Sequence, residues 1–348
     1  DNKIHGLQTR LFDRHGLAST KSTNNFIEQI EKIKPDIIHL HNIHGYFLNY
    51  EVLFNYLKVV NTPVVWTLHD CWSFTGHCTY FTYVGCDKWE TECFSCPQKT
   101  KYPASILIDR SKKNFNQKKK LFNSLTDVTM VPVSNWMSEI LKQSFLNKYP
   151  VKVIHNGINT DVFKPISETE FRSKYGLEEK FVILGVANMW DERKGMRDFI
   201  ELSKILDSNF QIVLVGLTKK QIEKLPKNIL GIGFTNSVEE LVEIYSVSNV
   251  FINPTYEDNF PTTNLESLAC GTPVITYNVG GSPEAVDEMT GIVLEKGNIN
   301  QLVKAIMQIK QKGKNFYSEA CVKRAQRLYK KEDRFKEYIE LYEELIKA

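Results

Sequence analysis

The chain has 348 residues, of which 42% are hydrophobic and 24% charged, as expected of a soluble globular protein with room for two ordinary domains. A net charge of +3 is too small to argue for nucleic acid, and no run approaches the ~20 apolar residues of a membrane span. The first residues carry neither an initiator Met nor an apolar signal segment, so a cytoplasmic location is expected, and seven cysteines, an odd number, argue against a secreted disulfide scaffold.

Ser22 and Thr23 are good helix caps, and Phe26, Ile27, Ile30 and Ile33 fall on one face of the helix that follows. Pro35 ends it. Ile37–His41 reads as a buried parallel strand, Leu48–Leu57 as a helix, and Pro63–Leu68 as a strand ending at His69-Asp70. Such alternation predicts an open, doubly wound α/β sheet. Between Cys71 and Pro103 the pattern breaks. This stretch holds five of the seven cysteines, is too long for an ordinary connection, and reads as an inserted loop without a core of its own.

A basic helix is predicted over Arg110–Leu121, anchored by Phe115 and Phe122. Val128–Val133 is a strand, Asn135–Gln143 a helix capped by Ser134, and Val151–His155 a strand stopped by Asn156-Gly157. The domain boundary is placed in the connection that ends at Pro165.

A second alternating series begins at Phe181. Strands are predicted over Phe181–Val186, Gln211–Val215, Ile229–Ile232 and Val250–Ile252, with helices over Met196–Leu206 and Val238–Tyr245. The last strand feeds Asn253–Pro273, NPTYEDNFPTTNLESLACGTP. Asp258 and Glu266 are its paired acids. Asn259, Phe260 and Pro261 form a turn, Pro261 sits where a helix starts, and Thr262 and Thr263 open a short helix that Gly271 and Pro273 end. Such a strand–loop–helix junction lies at the carboxyl ends of the strands, and its free N–H groups favour a phosphate. A strand over Pro273–Tyr277, the pair Gly280-Gly281, and helices over Asn298–Lys312, Tyr317–Tyr329 and Lys331–Lys347 complete the chain.

Five segments, in this order, resemble glycosyltransferase family 4, the retaining GT-B enzymes that use nucleotide sugars. They are Pro63–Asp70 (PVVWTLHD), Val153–Pro165 (VIHNGINTDVFKP), Gly185–Gly195 (GVANMWDERKG), Asp258–Gly271, and Gly280–Glu284 (GGSPE). The nearest flavour is that of bacterial capsule, exopolysaccharide and O-antigen transferases. The resemblance implies a GT-B fold, two Rossmann-like domains facing across a cleft. Residues 1–165 would form the acceptor side and 166–330 the nucleotide-sugar side, with 331–348 a helix crossing back to the first domain. The implied reaction moves a hexosyl group from a nucleotide-diphosphate sugar to a glycan or lipid-linked glycan, with retention and no catalytic metal.

By the same resemblance, Asp258 takes the place of the first acid, on the donor sugar, and Glu266 that of the second, on the ribose hydroxyls. The family's first acid is usually glutamate, so the shorter Asp258 would share its contact with Glu257. Lys194 would neutralise the diphosphate. The arginine usual six residues earlier is here Asn188, leaving Arg193 or the N–H groups of Thr262 and Thr263 to carry that charge. His69 would face the sugar. No strand and glycine-rich loop precede Asp36–His41, so the first domain is expected to lack them. Rival readings are a binding-only relative or inactive fragment, a sugar-nucleotide epimerase, and a phosphorylase. A Rossmann dehydrogenase is disfavoured, since no G-x-G-x-x-G follows a predicted strand.

Two features stand apart from that site. Cys78, Cys86, Cys93 and Cys96 fall within nineteen residues and end in a C-x-x-C pair, a pattern that suits a structural zinc. Reduced packing cysteines, or disulfides and a redox role, are the other readings. The basic helix Arg110–Lys120 could rest on anionic lipid at the inner face of the cytoplasmic membrane, or be a solvated face.

Overall fold

Two parallel sheets organise the chain. The computed structural model describes residues 2–167 and 169–347. It divides into two units, Asp1–Ile154 with Glu337–Ala348, and His155–Lys336.

The sheet of the first unit runs β1 (Ile38–Leu40), β2 (Val64–Leu68), β3 (Val128–Pro132) in that order, all parallel. Every residue of β2 is buried, as its run of Val, Trp and Leu requires for a strand covered on both faces. Trp66 packs edge-on against Phe122 at 5.0 Å, and Phe122 meets Phe54 at 4.4 Å. Helices cover Thr20–Ile33, Tyr50–Leu57, Ser111–Phe122 and Asn135–Gln143. Asn49 caps the second by accepting from the N–H groups of Glu51 and Val52, and Ser134 caps the fourth by accepting from Met137 N–H at 3.1 Å. An N-terminal helix, Asn2–Phe12, has no counterpart in the sequence reading. The strand expected over Val151–His155 reduces to one parallel bridge between Val151 and Met130.

The end of the long helix Lys331–Lys347 belongs to this sheet. His39 bonds to the Tyr342 hydroxyl at 2.6 Å and to Thr67 at 2.7 Å, and Thr67 meets the Tyr338 hydroxyl at 3.0 Å. The division between units falls after Ile154 rather than at Pro165. The reason is that Ile158 forms a parallel bridge with Lys330, which ties the connecting segment into the second unit.

The Cys71–Pro103 stretch is not coreless. Phe74, Phe81 and Trp89 are buried, with Phe81 stacked on Trp89 at 4.8 Å. Trp72 joins this group to the main core through Tyr50 at 5.7 Å. Burying side chains of this size contributes roughly 2–3 kcal/mol each.

The second unit holds β4 (Phe181–Val186), β5 (Phe210–Val215), β6 (Ile229–Ile232), β7 (Val250–Asn253), β8 (Val274–Tyr277) and β9 (Gly291–Leu294). All pairs are parallel and the order is β6-β5-β4-β7-β8-β9. The order reverses between β4 and β7, where Ile183 lies opposite Val250. Loops leaving the carboxyl ends of these two strands must diverge, and the crevice between them is where open α/β sheets bind ligands.

Candidate functional site

Two loops leave that reversal point. After β4 the chain runs through exposed Asn188 and Met189 to a helical turn, Glu192–Lys194, and then to Gly195. Asp191 caps the turn, accepting from Lys194 N–H at 3.1 Å. Gly195 has φ +72°, and a Cβ there would lie 2.1 Å from the Pro254 carbonyl oxygen. Only glycine lets the first loop come this close to the second.

The second loop runs from β7 through Pro254–Pro261 into the helix Thr262–Ala269, with Pro261 at the cap position. It is held by the first loop along its backbone. Tyr256 N–H donates to the Arg193 carbonyl at 2.7 Å, and Thr255 donates its hydroxyl to the same oxygen at 3.2 Å. The Arg193 guanidinium donates to the Glu257 carbonyl at 3.3 Å. On the other side the turn at Gly280 (φ +57°) presses on the loop, since a Cβ there would lie 1.8 Å from the Asp258 carbonyl oxygen. Asn264 ties the pieces together, accepting from Asn253 at 2.9 Å and donating to the Ser282 carbonyl at 3.1 Å.

This scaffold brings Lys194 and Asp258 together, ammonium to carboxylate, at 2.5 Å. Both side chains keep some solvent access, 24% and 13%. Glu257 beside them is 1% exposed. The Arg193 guanidinium lies on the Glu257 carbonyl, with the Asp191 carboxylate at 3.8 Å. Asn259 and Phe260 turn inward. Phe260 is buried against His155 at 4.9 Å and Tyr329 at 5.9 Å, so it anchors the loop from beneath.

Glu266 lies in the second turn of the helix that Thr262 and Thr263 open, half-buried. Burial pushes its carboxyl above the ordinary range, opposed by hydrogen bonds from Tyr245 (3.0 Å) and Thr262. Tyr245 went unread as a site residue, as did two other supports. Asp198, buried, accepts from the hydroxyls of Tyr256 at 3.1 Å and Tyr277 at 2.7 Å, fixing the loop beside Glu257. His155 meets the Glu284 carboxylate at 3.0 Å under Phe260. The only sequence signals for these were a Tyr on a predicted helix, an Asp on an amphipathic helix, and a His at a strand end. Each is uninformative without its partner.

The first unit contributes its own cluster at the carboxyl end of β2. His69 Nε2 faces His41 Nδ1 at 3.0 Å with the rings stacked, and Asp70 pairs with His44 at 2.7 Å. Burial first, then His41, pushes His69 below the ordinary imidazole range. At neutral pH it is therefore an uncharged ring, able to accept or donate one hydrogen bond.

Chemically, the second unit offers a cation, two carboxylates and a helix N-terminus at one crevice. That set is suited to a ligand with both phosphate and hydroxyl groups. The two parallel α/β units have the GT-B fold. Residues 2–162 match the family described as Glycosyltransferase Family 4 and residues 180–312 the family described as Glycosyl transferases group 1. The chain belongs to these families, which between them cover most of it.

Among curated relatives, it is 24% identical to an Escherichia coli K12 protein named as a colanic acid biosynthesis glycosyl transferase, WcaC, over 77% of this chain. It is 25% identical, over 58% of this chain, to an E. coli UDP-Gal:alpha-D-GlcNAc-diphosphoundecaprenol alpha-1,3-galactosyltransferase. The matched stretches span 66% and 56% of those two proteins. Among solved structures, Anabaena HepE in complex with UDP superposes with a TM-score of 0.67 at 16% identity, over 92% of this chain and 82% of that one.

Proposed function

We propose that the chain transfers a hexosyl group from a nucleoside-diphosphate sugar to a lipid-linked glycan in bacterial surface polysaccharide synthesis, with retention at the anomeric carbon. The observation that carries this reading is the Lys194–Asp258 pair at the strand-order reversal, beside the helix that bears Glu266. Lys194 and the N–H groups of Thr262 and Thr263 would take the diphosphate. Glu266, oriented by Tyr245, would accept the ribose hydroxyls, and Asp258 would turn to the sugar. The C1–oxygen bond to the β-phosphate breaks as the acceptor hydroxyl bonds to C1 on the same face. The hydroxyl proton passes to the departing phosphate oxygen. Charge develops on the diphosphate, so fixed donors there lower the barrier most, without a catalytic metal.

The names of the E. coli relatives and the UDP complex of HepE support the donor class and the lipid-linked acceptor. Among the described residues no helix is long and apolar enough to cross a membrane. Lipid-linked acceptors would instead be met at the inner face of the cytoplasmic membrane through the exposed Lys112, Lys113, Lys119 and Lys120. Lys118 is excluded from that contact by its burial.

The test is to incubate the full chain with a panel of nucleotide sugars. Released nucleoside diphosphate is measured with and without undecaprenyl-diphosphate glycans, and the anomeric configuration of the product is read by NMR. Slow hydrolysis of one donor, accelerated by acceptor, is expected. Neither binding nor turnover of any donor would refute the reading.

A further inference from the structure

Outside the proposed donor site, the inserted stretch folds its cysteines around one small cavity. Its walls include His77, Cys78, Cys86, Trp89, Cys93 and Cys96. Cys78 and Cys96 are in side-chain hydrogen-bonding contact, and Cys93 Sγ accepts the Gly76 N–H at 3.2 Å. The turn of the C-x-x-C pair carries Ser95 in the left-handed region (φ +45°), and Gly85 (φ +62°) precedes Cys86. Both turns aim a cysteine at the end of a tight bend. None of the seven cysteines is in a disulfide.

A second, independent observation lies in the same wall. His77 is 2% exposed, its Nδ1 is held by Asp13 at 2.6 Å, and its Nε2 is buried without a hydrogen-bond partner. An orphaned buried nitrogen is costly and asks for an explanation. A carboxylate that fixes one nitrogen of a histidine while the other looks into a thiol-lined cavity is an arrangement met around metals. Nearby, Lys118 is buried with its ammonium on the carbonyls of Trp72 (2.7 Å) and Thr75 (3.1 Å). A zinc ion with four thiolates carries a net charge of about −2, and a buried cation beside it offsets part of that.

We propose that Cys78, Cys86, Cys93 and Cys96 hold a structural zinc ion, with His77 Nε2 facing the same site. Among the described residues no group of three or more His, Cys, Asp or Glu side chains is arranged to hold a metal ion as the chain stands. Binding therefore draws the thiols inward. Rotation about a cysteine's single χ angle moves its sulfur by roughly 3 Å without backbone change. The four protons of the thiols leave to solvent as the zinc–sulfur bonds form. The ion would close the insertion over the buried Phe74–Phe81–Trp89 group and steady Asp70, two residues beyond β2.

The test uses the full chain purified under reducing conditions. Metal content is measured by mass spectrometry, and zinc release is followed on titration with a thiol-blocking mercurial. About one zinc per chain, released as four thiols react, is expected. Cobalt(II) substituted for it should give strong sulfur-to-metal charge-transfer absorption in the near ultraviolet and the visible bands of a tetrahedral site. Cys96→Ser should lower the zinc content at least tenfold, while Cys270→Ser in the second unit should leave it unchanged. Because the wild-type chain is measured directly, a variant that fails to fold leaves the outcome decidable. Less than a tenth of an equivalent of zinc with no cobalt spectrum would overturn the proposal. So would a Cys78–Cys96 disulfide in protein prepared without reductant but with zinc present.

Discussion

Lys194 and Asp258, 64 residues apart in sequence, neutralise each other at 2.5 Å. The pair links the two loops that diverge at the strand-order reversal. On the proposed reading, a diphosphate entering the crevice would compete with Asp258 for the ammonium. Replacing Asp258 by Asn removes the competitor and keeps the shape. Affinity for the free nucleoside diphosphate is expected to rise about threefold, the modest effect of a part-exposed pair. Turnover of the nucleotide sugar should fall. Calorimetry and donor-hydrolysis rates on one preparation check both.

Replacing Lys194 or Glu266 has a different signature. Lys194→Ala is expected to lower kcat by about 10²–10³, since it deletes a donor to the charge that develops on the leaving group. Glu266→Ala is expected to raise KM for the donor and weaken nucleoside binding, with free diphosphate affinity little changed. Steady-state kinetics on both variants, with circular dichroism as a folding control, separates the two roles. Wild-type rates in both would refute the site.

Glu266 also has a stability signature. Burial raises its carboxyl above the ordinary value, so between the two values the folded state holds a proton that the unfolded chain has lost. Stability then falls as pH rises through that window, and the ionised carboxylate at neutral pH is a burden on the fold. Glu266→Gln should raise Tm at pH 7.5 while impairing donor binding. An unchanged or lower Tm with intact secondary structure would contradict this account.

Gly280→Ala puts a Cβ 1.8 Å from the Asp258 carbonyl oxygen at a left-handed φ. The expected loss is about 2–4 kcal/mol, from strain and displacement of the loop. Denaturant unfolding gives the stability. Donor binding should weaken with it, whereas Gly176→Ala (φ +64°), which meets nothing within 4 Å, should show the backbone strain alone.

His39 predicts acid sensitivity in the first unit. Burial, then His41 and His69, lowers it to about 4 from 6.5. Between those values the unfolded chain binds a proton that the folded chain refuses, so stability falls as pH drops from 6.5 toward 4. A His39→Gln variant should lose part of that slope in Tm against pH, and Tyr342→Phe should change it less.

What was legible in the sequence was whatever is encoded locally. Buried parallel strands announce themselves as apolar runs. Gly195, Pro261 and Gly280-Gly281 mark turns that few other residues could make, and the paired acids sit at a fixed spacing between them. What escaped was set by partners far away in sequence. β9 is four residues long and half-exposed at the sheet edge, and its Gly-Ile-Val-Leu run is too short to stand out as a strand. Tyr245 gains its meaning only beside Glu266, and Asp198 only beside Tyr256 and Tyr277. The inserted stretch looked coreless because Phe74, Phe81 and Trp89 are spaced without period, and only the fold gathers them. Lys118 read as one more charge on a basic helix, yet its position faces inward beneath Trp72, 3.3 Å from the ring centroid.

The grip on the Pro254–Asp258 loop has an evolutionary consequence. Gly195 and Gly280 pack against two main-chain oxygens, those of Pro254 and Asp258, while the side chains of Thr255 and Tyr256 fix the loop from within. Asp258 keeps some solvent access, so its side chain is the one that can be exchanged while that path is kept. An aspartate at 258, where the family resemblance implies glutamate, is then a change of reach by one methylene on an unmoved mount. On the proposed donor reading, single substitutions at 258 would shift donor preference, with the two glycines as the immovable parts.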